Sequence, residues 1–216
     1  MIKYKTLRDL VYDYICQQLR AGVIQPTSAI KETALSAELS ISRTPVREAL
    51  IQLAGEGLLQ SVPHKGFCIR SLTEKEGQEL FTVIGHLEGL AAKTSLPLVT
   101  EQDISSMQMC IGMMDAAIAA DNVEMYLEMQ DNFHRIYLAR CENGTLSDTL
   151  DRLKSRLFRH RYQAMAREER ERFLHGLNDE HRAILELFNA HDADGLEKYL
   201  IEVHWSPAMA CYEVLG

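Results

Sequence analysis

Six residues in this 216-residue chain have the types and spacing to do chemistry. Three are histidines. "DNFHRIYLARCEN" sets His134 in a helical pattern beside Phe133 and Tyr137, "NDEHRAILELF" carries His181, and "LIEVHWSPA" carries His204. Imidazole is a common ligand for zinc, nickel and related ions, and helical bundles build metal sites from histidines on facing helices. On spacing alone, these three read as separate, satisfied helix histidines. The other three residues are Arg43, Thr44 and Arg47 in "SISRTPVREALIQLAGEGLL", Ser40–Leu59. Arginines and a small hydroxyl at a helix N-terminus suit phosphate contacts and guanine edges in a DNA major groove.

The elements that must position these residues follow from pattern. Leu7, Leu10, Val11, Tyr14, Ile15 and Leu19 keep a helical period that stops at Ala21-Gly22. "QPTSAIKE" reads as a turn-rich connector and "ETALSAEL" as a short helix. Pro45 lacks an N–H and belongs in the first turn of the next helix, with Ser42 or Thr44 as its cap. Val46, Ala49, Leu50 and Leu53 form that helix's apolar face, while Arg43 and Arg47 point elsewhere. "LLQSV" and "GFCIR" read as a hairpin around "PHKG". Its tip, His64, Lys65 and Gly66, suits minor-groove or phosphate contact.

After Arg70 the pattern turns helical throughout. Thr73 can cap a helix to about Ser95, and Thr100 with Asp103 resembles a capping box for a helix through Ala120. Asp121 or Asn122 caps the next, which ends at Asn143-Gly144; Thr145 opens another reaching at least Tyr162. "AMAREERERF" reads as helix or exposed link, followed by helices from about Asn178 to Ala190 and from Asp192 to about Tyr212. The expected fold is mainly α: a winged helix-turn-helix over 1–71, then an all-α bundle over 72–216.

"SRTPVREAL…L…EGLL" followed by a hairpin resembles the winged helix-turn-helix of GntR-family bacterial transcription regulators. "FH", then "EHRAI", then a late helical histidine, in an all-helical body, is similar to the FadR-type branch of that family and its FCD effector domain. The resemblance implies a sequence-specific regulator, most often a repressor. It would act as a homodimer on a near-palindromic double-stranded DNA operator. Arg43, Thr44 and Arg47 would contact DNA from the recognition helix, with His64, Lys65 and Gly66 at the wing tip. It implies a divalent metal ion (zinc, nickel or manganese) on His134, His181 and His204. The effector would be a small organic acid, and no catalysis is expected.

The chain departs from that pattern at four positions. Ser40 stands where many relatives have a turn glycine, and Thr33 where some have a DNA-contacting arginine. Gln130 stands one turn before His134, where many relatives carry an aspartate and some an asparagine; its amide oxygen can still coordinate, with less charge than a carboxylate to offset a cation. Ile84 replaces an arginine four residues before Glu88. A carboxylate effector would then look to the metal, to Arg135, or to Arg152, Arg156 or Arg159 in "RLKSRLFRHR", a run equally readable as a solvated face. Two other functions stay open: a direct sensor of the metal itself, and a three-histidine metalloenzyme, although there is no HExxH and no fixed general base.

Composition agrees with a DNA-reading head. Residues 1–71 carry nine Lys/Arg against six Asp/Glu, leaving fourteen against twenty-five for residues 72–216. A basic head can approach phosphates; an acidic body cannot. Five cysteines without CxxC spacing argue against a disulfide framework and fit a reducing cytoplasm. No apolar run reaches membrane-spanning length. "MQMCIGMMDAAI" is expected to pack in the core or at a dimer face, with Cys110 buried.

Overall fold

The computed structural model of the chain describes residues 6–20, 23–24, 29–63, 66–157, 162 and 165–213. They fall into two compact units. The first comprises the described residues of 6–73 with 155–157, and the second 74–154 with 162 and 165–213.

In the first unit, α1 (Leu7–Arg20), α2 (Glu32–Glu38) and α3 (Arg43–Gly55) pack around Val11, Ile15, Leu35, Val46, Leu50 and Leu53, all buried. The turn between α2 and α3 is pinned reciprocally: the Ser36 hydroxyl donates to the Ile41 carbonyl at 2.5 Å, and the Ile41 amide donates to the Ser36 carbonyl at 3.1 Å. Ser40, inside that turn, sits in the left-handed region at φ 55°. That backbone explains why glycine suits the position, since a Cβ there carries a steric cost.

A three-stranded antiparallel sheet follows, in the order β1 (Ala29–Ile30), β3 (Gly66–Ile69), β2 (Leu59–Val62). The hairpin is the expected one, running from Leu59 opposite Ile69 to Val62 opposite Gly66. The connector reading of "QPTSAIKE" is corrected at β1, where Ala29 pairs with Cys68 and Ile30 with Phe67. Two residues are too few to show alternation, so only the tertiary partner reveals this strand. Gly66 is where the approach is tightest. Its φ is +90°, and a Cβ there would lie 2.9 Å from the Ile30 carbonyl oxygen.

The second unit is all-helical among the described residues: α4 (Glu74–Ser95), α5 (Glu101–Ala119), α6 (Val123–Leu138), α7 (Gly144–Lys154), α8 (Arg167–Asn189) and α9 (Ala193–Tyr199). A 3₁₀ turn, Leu96–Leu98, joins α4 to α5. The Thr100–Asp103 capping box forms as read, and Asn122 caps α6. Met107, Cys110, Ile111, Met114, Tyr126, Phe133, Tyr137, Ile184 and Phe188 form the buried interior, while Met109 is exposed.

Several boundaries differ from expectation. α6 ends at Leu138, short of Asn143, and α7 stops at Lys154. "REERERF" belongs to α8, which starts at Arg167 rather than near Asn178. The final helix is broken. α9 passes into a π-helical turn, Leu200–His204, closed by the Trp205 amide on the Leu200 carbonyl at 2.9 Å. The chain then enters a 3₁₀ turn at Pro207–Met209 and a short α10 (Ala210–Glu213). Pro207, without an N–H, cannot continue the ladder. α4 lets this segment approach through Gly85, where a Cβ would lie 3.0 Å from the Trp205 Cβ.

Candidate functional site

α6, α8 and the π turn bring the three histidines together. Their nearest ring nitrogens all lie within 4.8 Å of one another, and all three side chains are buried. His134 Nε2 is 3.3 Å from His181 Nε2 and 3.2 Å from His204 Nε2. Neighbouring ligands of one ion at about 2.1 Å stand about 3.0–3.4 Å apart, depending on coordination number. The π turn matters here because it widens the helix by one residue per turn where His204 leaves it.

Carboxylates hold the outer nitrogens. His134 Nδ1 lies 2.6 Å from Glu88 Oε1, and His204 Nδ1 lies 2.9 Å from Glu180 Oε2. An Nδ1–H donated to a carboxylate leaves the Nε2 lone pair facing inward, the tautomer that ligates metals. Two such lone pairs 3.2 Å apart repel one another unless a cation or proton lies between them. Burial pushes His134 down to about 4, despite Glu88, so its ring is neutral at physiological pH.

Glu88, fully buried on α4, is the centre of the outer shell. Its Oε1 also accepts from the Tyr137 hydroxyl, and its Oε2 pairs with Lys154 Nζ. Burial alone would raise its carboxyl, but Lys154 and His134 outweigh burial and hold it well below the usual carboxylate range. Burial, reinforced by Glu88, holds the Tyr137 phenol well above its ordinary value. Lys154 Nζ also lies 5.1 Å from the centre of the Trp205 ring.

Two buried polar atoms here have no hydrogen-bond partner among the described residues. They are Gln130 Oε1, one helical turn before His134, and the Trp205 indole nitrogen beside His204. An acceptor and a donor left unsatisfied in this way cost stability unless a ligand meets them. The three converging imidazoles are donors suited to a divalent transition ion, and Gln130 adds a buried amide oxygen one helical turn before His134.

The other expected site residues are more dispersed. Arg43, Thr44 and Arg47 are exposed in the first turns of α3. Ser42 is the N-cap, and its side chain makes no capping bond, so the α3 N-terminus keeps its polarity for an outside anion. Arg47 touches Glu32 only loosely, at 3.6 Å with Arg47 largely exposed. A pair like that yields to a phosphate at little cost. Gly66 opens β3, whereas His64 and Lys65 lie outside the described residues. Arg135 is exposed and donates to Asn132 at 3.0 Å. Arg152 is also exposed. Arg156 belongs to the first unit beside Gly57, and Arg159 is outside the described residues. The basic run does supply a cation to the cluster, but it is Lys154.

Residues 79–204 match the FCD domain model, and residues 7–69 match that of the bacterial regulatory proteins of the gntR family. The chain belongs to the GntR family. It is a DNA-binding regulator of transcription; the family's members are not enzymes. Among its GntR relatives is the HTH-type transcriptional repressor RspR of Escherichia coli K12, 25% identical over 71% of this chain and 68% of that one. Another is the Nta operon transcriptional regulator of Aminobacter aminovorans, 30% identical over 62% and 63%. The fold is shared with E. coli McbR/YncC (TM-score 0.81, 22% identity, 96% and 97% covered). It is shared too with a GntR regulator from Rhodococcus sp. RHA1 (TM-score 0.72, 17% identity, 95% and 96% covered).

Sequence reasoning about this GntR chain missed Lys154, Glu180 and Trp205. Glu180 directly precedes His181 but serves His204, and nothing local signals that exchange. Lys154 stands in a run of arginines of the same charge, and nothing local sets it apart.

Proposed function

We propose that this GntR-family chain is a repressor whose operator affinity is set by a small carboxylate bound with a divalent metal ion at His134, His181 and His204. One observation carries the reading: three buried imidazoles with Nε2 atoms 3.2–3.3 Å apart, two of them oriented by carboxylates on Nδ1. Zinc, nickel or manganese fits the donor set, with Gln130 Oε1 as a fourth neutral donor. Bound there, the ion would hold a carboxylate oxygen by direct coordination. The protein's part is to fix the imidazole tautomers through Glu88 and Glu180 and to keep water out. A surface cleft of about 500 Å³ near Leu90, Thr94, Asn143 and Leu146 is a weaker candidate, because its one charged lining residue is Glu142, which repels a carboxylate.

Residues 1–71 would read DNA and residues 72–216 would bind effector and pair with a second copy. A homodimer would place two α3 helices in successive major grooves of a near-palindromic site. The test has two arms. Arg47→Ala should abolish discrimination between operator and random DNA with the fold intact; an unchanged footprint removes α3 from recognition. His134→Ala with His181→Ala should empty the protein of metal by elemental analysis. If wild type takes up no metal after reloading, the site is misassigned.

A further inference from the structure

We infer that Gln130 makes metal binding by this chain conditional on an anionic co-ligand, a carboxylate being the class that fits. The inference rests on the metal reading above and extends it to how the two ligands depend on each other.

The cluster has carboxylates, but each is already engaged. Glu88 Oε1 faces His134 Nδ1 and the Tyr137 hydroxyl, and Glu88 Oε2 faces the Lys154 ammonium. Glu180 Oε2 faces His204 Nδ1. Three imidazole nitrogens converge, and the Gln130 amide oxygen, buried one helical turn before His134, has no partner among the described residues. As ligands, imidazole nitrogens and an amide oxygen bring no negative charge to an ion. Glu88 is moreover neutralised by Lys154, so its charge does little for an ion at the centre.

A divalent ion held this way keeps its full charge in a site whose walls are nearly solvent-free: Gln130 is 4% exposed, His134 3% and His181 0%. Burying uncompensated charge is costly. An anion that coordinates the ion removes most of that cost. By linkage, the ion strengthens the anion's binding by the same factor. The unpartnered Trp205 indole N–H is a neutral donor beside His204, suited to the second oxygen of a carboxylate. An acidic residue at position 130 would supply the charge from the protein and weaken the dependence.

The experiment is calorimetric titration of the full, metal-stripped chain with zinc or nickel. The buffer contains no halide or other coordinating anion, and the titrations are run alone, with acetate, and with neutral acetamide. Metal affinity should rise at least about tenfold with acetate and stay unchanged with acetamide. Gln130→Glu, with Gln130→Asp as the shorter alternative if the first fails to fold, should bind metal tightly alone and gain less than about threefold from acetate. Equal wild-type affinity with and without acetate overturns the inference and leaves the metal site standing. No metal uptake under any condition overturns both.

Discussion

His134 is neutral because burial forbids its charge, and it points inward because Glu88 takes its Nδ1–H. Glu88 in turn stays ionised in the interior because Lys154 reaches it. Each residue thus fixes the state of the next. The sequence named His134, His181, His204 and Gln130 through family resemblance, and it singled out Glu88 only as the partner of a missing arginine. It could not pair Glu88 with His134, 46 residues apart, or choose Lys154 from a run of cations. Such choices are made by packing. Ser40 is a simpler case, since its positive φ follows from the turn between α2 and α3. Ser40→Gly should stabilise the protein by about 1 kcal/mol by removing the Cβ penalty. A urea midpoint that falls or does not move would show that the Ser40 side chain stabilises the turn.

Helix starts were the most legible elements, because caps are local chemistry. Thr100 and Asp103 meet as a capping box, and Asp103 also receives Arg140 through bonds of 2.8 and 2.9 Å. Thr100→Ala should cost about 1 kcal/mol in chemical denaturation. Hydrogen bonds from Arg140, joined by the cap donors, lower Asp103 to about 2. A carboxylate depressed in the folded state contributes stability that is complete above its unfolded value, near 3.9, and fades as pH falls through about 2. Asp103→Asn should therefore flatten the stability profile across that window while leaving its shape above it unchanged. An identical slope in variant and wild type would show that Arg140 does not hold Asp103 in solution. Helix ends, and the start of α8, which has no side-chain cap, were less legible. The stop at Leu138, the early start of α8 at Arg167 and the π turn before Trp205 depend on partners elsewhere in the bundle. β1 was invisible for the same reason: its two residues are a strand only because β3 lies beside them.

On the scale of the whole molecule, composition already separated a basic head from an acidic body, and the mainly α fold with a winged helix-turn-helix is the one found. What composition could not give is the membership of residues 155–157 in the first compact unit. Tyr12 on α1 donates to the Ser155 carbonyl at 2.8 Å, directly after Lys154. A regulator needs its ligands to bind the DNA-competent and DNA-incompetent states unequally. The most direct test is operator affinity, by fluorescence anisotropy on a DNA fragment selected by the protein itself. It is measured on metal-stripped protein and again with zinc and acetate together, for wild type and for His134→Ala with His181→Ala. Wild-type affinity should change at least about fivefold between the two conditions, and the double variant's should not change. Operator affinity in wild type that is indifferent to metal and acetate, or a double variant that responds like wild type, would contradict the claim that the three histidines control DNA binding.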